Sequence, residues 1–171
     1  CVIDSTVSAV VVQEDGKILV GGHFTTVNGV SRRCIVRLNS DGSVDTGFSP
    51  AAPYTGIFPQ LAVSGIAIQA DGRIVISGVF EGIGDQERGV PMARLFADGT
   101  LDKSFDPGGS GERINSLAID RTGAVFVTGV FTKIGGITRS GFAKLTNDPA
   151  TSVLDFVDSD SLRWTQAGTT P

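Results

Sequence analysis

The sequence predicts an all-β protein built from about three copies of one four-stranded unit, and three observations carry that prediction. A long segment recurs at a constant offset, its apolar residues alternate with period 2, and Asp-Gly or Thr-Gly pairs punctuate it at fixed places. No segment carries the 3.6-residue apolar period of a helix. The 171 residues are 40% hydrophobic and 19% charged, a balance that can bury one sizeable core. The 23 glycines are close to twice the average share.

The first copy runs from Val7 to Phe24 through Asp15-Gly16, the second from Val63 to Phe80 through Asp71-Gly72, the third from Ile114 to Phe131 through Thr122-Gly123. One offset separates Val7 from Ile114, Arg32 from Arg139 and Arg37 from Lys144, which is the mark of duplication. Within the unit, Val7–Gln13 and Lys17–Phe24 flank Asp15-Gly16, a strong short-range hairpin signal. The first strand has larger groups on one face (Val10, Val12; Ile66, Ile68; Leu117, Ile119). Its other face has smaller ones (Ala9, Val11; Gly65, Ala67; Ser116, Ala118). A strand apolar on both faces is buried on both, as in sheets stacked upon sheets.

The second strand alternates through Ile18, Val20 and Phe24, then Ile74, Ile76 and Phe80, then Val125, Val127 and Phe131. Gly22, Gly78 and Gly129 share that face and predict a close approach of backbone or of the following ring. The third strand is Ile35–Leu38, Met92–Leu95 and Phe142–Leu145. A turn at Asp41-Gly42 or Asp98-Gly99 then leads to a short outer segment ending at Phe48 or Phe105. The third copy departs from the pattern after Leu145, and Val153–Phe156 with Ser161–Trp164 reads as a last hairpin, as expected of a terminal repeat. The expected organisation is a single domain with repeats 7–62, 63–113 and 114–150 and a capping tail, 151–171.

The run Val-x-Ala-x-x-Val-Gln-x-Asp-Gly-Lys-Ile-Leu-Val-Gly-Gly-x-Phe, continued by Arg-x-x-Ile-x-Arg-Leu-Asn-x-Asp-Gly-Ser-x-Asp-x-x-Phe, resembles the delta-sixty β-propeller repeat of bacterial surface and secreted proteins. The resemblance covers 7–48, 63–105 and 114–145, weakening in that order, and Leu162–Pro171 is similar to the segment after the final repeat in such proteins. It implies propeller blades and an extracellular or cell-surface location, with no assigned activity. Propellers usually have four to eight blades. Three therefore predict a partial propeller or half of an oligomeric ring, completed by self-association or by repeats of a longer polypeptide. A β-trefoil is the alternative.

A net charge of −4 argues against nucleic-acid binding, and no apolar run is long enough for membrane insertion. The opening Cys1-Val2-Ile3-Asp4, without Met or a basic apolar leader, is what a processed or excised chain would show. One His and two Cys offer little for a metal or a catalytic constellation, so no cofactor, no metal and no catalytic residue are expected. Cys1 and Cys34 could pair in an oxidising compartment, although a free, small apolar Cys34 is the favoured reading. His23 reads as a strand residue.

Ligand-contact candidates are Tyr54 and Phe58, in the long connection 49–61, and the recurring Arg32, Arg88 and Arg139. An exposed aromatic would stack on a sugar or a protein partner. The arginines would bind an anion or, as the plainer reading has it, tie each connection to the next unit. Asp41, Asp45, Asp98 and Asp102 are calcium candidates by their D-G-x-x-D spacing alone, and a turn explains that spacing as well. Asp155, Asp158 and Asp160 form a looser acidic cluster. The expected function is a non-catalytic extracellular scaffold or binding module for a glycan or protein ligand. A carbohydrate-active hydrolase with paired carboxylates and a structural spacer in a surface fibre are the alternatives.

Overall fold

A computed structural model describes residues 1–55 and 61–146, and the backbone of two further strands, Thr151–Asp158 and Ser161–Ala167. Among the described residues every regular element is a strand. The first unit contains β1 (Thr6–Val12), β2 (Ile18–His23), the short pair β3 (Thr26–Val27) and β4 (Val30–Ser31), and β5 (Ile35–Leu38). The second contains β6 (Pro53–Tyr54), β7 (Ala62–Ile68), β8 (Ile74–Val79), β9 (Gly82–Ile83), β10 (Gln86–Glu87) and β11 (Met92–Leu95). The third has β12 (Gly109–Ile119), β13 (Val125–Ile134), β14 (Ile137–Thr138) and β15 (Phe142–Leu145), and β16 (Thr151–Asp158) pairs with β17 (Ser161–Ala167) beyond it.

All pairings are antiparallel, and the main sheets run β1-β2-β5, β7-β8-β11 and β12-β13-β15. The outer segment predicted as a fourth strand is a single bridge, Leu38 to Val44 and Leu95 to Leu101. It stops there because the chain turns at Asp45 and Asp102, whose carboxylates accept the N–H of Gly47 and Ser104.

The Asp-Gly hairpins form, but their turns are longer than two residues. Gln13 donates its N–H to the Lys17 carbonyl at 2.8 Å, while Gly16 N–H bonds the Gln13 carbonyl at 3.0 Å. Gly16 alone carries the positive φ, +80°, so this is a three-residue loop closed by a left-handed glycine. Gly72, Gly123, Gly42 and Gly99 repeat the arrangement. A two-residue turn with both φ positive does occur, at Asn28-Gly29 between β3 and β4 and at Gly135-Gly136 between β13 and β14.

The triplet Gly22, Gly78 and Gly129 has one cause. Each first strand bulges opposite it, between Val7 and Ala9, Val63 and Gly65, and Ile114 and Ser116. The bulge presses the carbonyl of Thr6, Ala62 or Arg113 onto the glycine, where a Cβ would collide with backbone.

The units stack face to face. Ala9, Val11, Leu19 and Ile35 of the first sheet pack against Ile66, Ile74 and Ile76 of the second. On the second sheet's other face, Val75 and Met92 pack against Val125, Val127, Ala143 and Leu145 of the third. Burying each of the larger ones fully, such as Leu19, Ile74 or Met92, stabilises the fold by about 1.5–3 kcal/mol. Separate stacked sheets, rather than one closed barrel, set aside the trefoil alternative.

Gly78→Ala should therefore destabilise the protein by about 1–3 kcal/mol, because the backbone it would strike is itself held in a ladder. Chemical denaturation of the variant beside the parent measures it. An unchanged midpoint would mean that the bulge relaxes freely.

Candidate functional site

The repeated charged residues form a fastening between strand and outgoing chain. Arg37, on β5, donates Nε to the Asp45 carboxylate at 2.8 Å and lies over the Phe48 ring, 4.7 Å from its centre. Arg94, on β11, does the same with Asp102 at 2.8 Å and Phe105 at 4.7 Å. A second cation reinforces each carboxylate, Lys17 at 3.0 Å from Asp45 and Arg73 at 3.4 Å from Asp102. Lys17 is the largest cause that holds the Asp45 carboxyl down to about 2, and Gly47 N–H and Arg37 add to it. At Asp102 burial pushes the other way, and hydrogen bonds from Ser104 and Arg94 outweigh it. Arg37 also reaches the second unit, donating Nη1 to the Ala97 carbonyl at 2.6 Å.

Asp41 and Asp98 are occupied differently. Each accepts from the backbone and hydroxyl of the residue two places on, Ser43 or Thr100, and is lowered by those bonds. The four aspartates raised by the calcium spacing thus serve turns and ion pairs. Among the described residues no group of three or more His, Cys, Asp or Glu side chains is placed to hold a metal ion. Asp155, Asp158 and Asp160 lie outside the residues whose side chains are described, and so does Phe58.

The three recurring arginines hold equivalent positions in separate units. The backbone N–H of Arg32, Arg88 and Arg139 bonds the carbonyl of Thr25, Glu81 and Thr132, closing the short hairpin of its own unit. Arg88 is buried, its Nη1 donating to the Phe105 carbonyl at 3.1 Å and lying 3.5 Å from the Asp106 carboxylate. Arg32 donates Nη1 to the Ser31 carbonyl at 2.9 Å. No described contact joins two of the three. Tyr54 is half-buried on β6, its ring laid on Gly82, where a Cβ would collide with it. His23 is exposed at the end of β2.

A cleft of about 650 Å³ opens where the turns of the first and second units come together. Val11 lines it from the first unit, Ile66 and Ile68 from the second, and Ile119 from the third. Glu14 and Asp15 stand on its rim. Gln69 lines it, 5% exposed, with neither its amide oxygen nor its amide nitrogen hydrogen-bonded, and Gln13 lines it with its Oε1 likewise unpaired. Gln13 and Gln69 are equivalent positions, each immediately before its turn. The sequence singled out neither, because a glutamine beside Asp-Gly reads as part of the turn. Its only signal was recurrence.

Two segments, 13–48 and 69–105, match a family model described as a domain of unknown function (DUF5122) beta-propeller. The matched segments begin just after the first strands β1 and β7 and hold β2 to β5 and β8 to β11 with their outgoing chains. The repeated units are β-propeller blades. No curated protein and no solved structure matches the chain. The blades are joined by the Arg-Asp-Phe fastenings, and the first strands β1, β7 and β12 contact one another from blade to blade. The cleft sits at the turn end of those first strands.

Two outcomes are expected from the titrating groups. The Asp45 carboxyl is lowered from its ordinary 3.8 to about 2. Its contribution to stability is therefore complete above about pH 4 and is lost as pH falls towards 2. The melting temperature of the parent should drop through that window, and Asp45→Asn should flatten the drop while lowering the plateau. Equal slopes would remove Asp45 from the acid response.

The second concerns the thiols. Both are free, Cys1 exposed and Cys34 buried, and burial pushes the Cys34 thiol up to about 11. At pH 8 Ellman's reagent should titrate Cys1 alone in the native protein, and both thiols in guanidinium. Prompt reaction of both in the native state would contradict the burial.

Proposed function

We propose that this chain is a non-catalytic scaffold and binding module of the delta-sixty repeat type, displayed outside the cell or on its surface. The cleft at the turn end of the blades is where it meets a glycan or protein ligand. The observation that carries this reading is the buried, unpaired amide of Gln69 in an open cleft. An amide buried without partners costs roughly 1–3 kcal/mol. A ligand that offers a donor and an acceptor together, as sugar hydroxyls and peptide groups do, recovers that cost on binding. The aliphatic walls suit the C–H face of such a ligand, and Glu14 and Asp15 add acceptors at the rim.

The non-catalytic part of the reading is supported by the carboxylates. Every aspartate among the residues with described side chains is already engaged by a turn, a hydroxyl or a cation. A glycosidase needs two carboxyls free to meet substrate, and of the two at the cleft, Glu14 and Asp15, the second already accepts the Lys17 N–H. The location is supported by the resemblance of the repeat to those of surface and secreted proteins.

A glycan array and a peptide array, with calorimetry on the hits, test the proposal with Gln69→Leu as the control. The variant should lose at least tenfold in affinity and melt at the same temperature as the parent or slightly higher. Full affinity in the variant would move the site elsewhere. Two blank arrays would favour the spacer reading instead.

A further inference from the structure

The middle blade offers one face to the blade before it and the other to the blade after it, and among the described residues the first and last blades each keep part of one such face uncovered. On the first blade Phe24, Val27 and Ile3 pack with Val20, Val36 and Leu38 of that face and bury them, while its first strand leaves Val10 and Val12 59% and 66% exposed. Their equivalents on the second blade are Ile66, 8% exposed, and Ile68, and on the third Leu117 and Ile119, all packed against a neighbouring blade. On the third blade the uncovered face carries Phe142, 57% exposed, and Phe126, with ring centres 6.3 Å apart. Their equivalents are Ile35 and Leu19 on the first blade and Met92 and Val75 on the second, and each of the four is fully buried.

The two uncovered faces are thus the two halves of one interface that the molecule already makes twice. The face with Val10 and Val12 is of the kind that receives a preceding blade, and the face with Phe126 and Phe142 is of the kind that docks onto a following one. We propose that these faces bind each other between two copies of this chain, head to tail, and close a ring of twice three blades. Such a ring falls inside the usual range of four to eight, and the two-fold relation between copies forms the junction twice.

The polar contacts of the internal junctions predict those of the new one. Arg37 donates to the Ala97 carbonyl of the next blade, and Lys144 and Ser40 hold the equivalent positions. Lys144, which now lies over the Phe126 ring at 5.4 Å, would therefore reach the Ser40 carbonyl of the second copy, beside the Asp41 carboxylate. Ser64 donates Oγ to the Ile114 carbonyl at 3.0 Å across the second junction. Asn115 and Val7 are the equivalent pair, and both are exposed on the uncovered faces. Positive charge meets negative, and an amide donor meets a carbonyl, in the register that stacks the apolar residues.

The test is the mass in solution by light scattering or sedimentation at tens of micromolar. The parent should run at twice 17.7 kDa, and Val12→Asp and Phe142→Asp should each run at 17.7 kDa. Both positions are exposed in the single chain, so each variant should keep the parent's circular dichroism. Ala118→Arg, at another exposed position of the Phe142 face, stands in if Phe142→Asp fails to fold. An equimolar mixture of Val12→Asp with Phe142→Asp should regain a pair, because one junction in that mixture has both native faces. A monomeric parent at every concentration overturns the proposal. Dimers that survive Val12→Asp while Phe142→Asp breaks them also overturn it, since they would show like faces pairing with like.

Discussion

A β-sheet whose middle strand is apolar on both faces is stable only between two other layers, and this molecule is organised around that constraint. In β2, Leu19 and Val20 point to opposite faces and both are buried; in β8, Val75 and Ile76 do the same. Neither sheet could bury both sets of side chains alone, which is the general reason that stacked repeats come in series. Close stacking in turn limits what can stand between sheets. At Gly21 a Cβ would press on Val63 and Ile66 of the next blade, and at Gly65 on Leu117 of the one after. Small residues on one face and large ones on the other are the solution, and the same asymmetry gives each blade a direction.

Stacking alone does not hold the chain that passes from one blade to the next, and the Arg-Asp-Phe fastening does that. The guanidinium is neutralised by the carboxylate and covered by the ring, so three otherwise costly burials satisfy one another. The third copy shows the logic by losing the parts together. Lys144 replaces the arginine, Ala124 stands where Lys17 and Arg73 supply the second cation, and Ser152 stands where Asp45 and Asp102 supply the anion. A carboxylate removed alone would leave a buried guanidinium unpaired, at about 3–5 kcal/mol. In the third copy the remaining cation, Lys144, is exposed, so loss of the second cation along with the anion leaves no buried charge unpaired.

Much of this was legible in the sequence because duplication repeats each physical requirement in step. The first strands of the first two blades begin and end within a residue of the expected bounds, and the glycine triplet admits backbone, as its spacing predicts. The short hairpins β3–β4 and β9–β10 lie where the pattern shows only a connection, although Asn28-Gly29 carries a hairpin signal of its own. Two-residue strands are too short for alternation to register, so that signal stands alone between the second and third strands. Tyr54 shows a different limit. An aromatic in a long connection reads as exposed, yet here it packs on Gly82, a contact that depends on β6 joining the edge of β9. Sequence position gives no hint of that pairing.

The glutamine position is where architecture and recognition separate. Gln13, Gln69 and Asp120 occupy one place in the three copies, immediately before the turn. In the third copy the carboxylate satisfies itself locally, accepting from the Thr122 backbone and hydroxyl at 2.8 and 2.6 Å and from Ala124 N–H at 3.1 Å. A turn at this place therefore needs only an acceptor that can fold back on it, and aspartate supplies one within the blade. Glutamine, one methylene longer, does not fold back in either of the other copies. Its amide instead extends into the space between blades, where Gln69 finds apolar neighbours and no partner of its own. The turn chemistry alone would be met better by the shorter residue. On the function proposed above, the two glutamines are there for a ligand that enters the cleft they line.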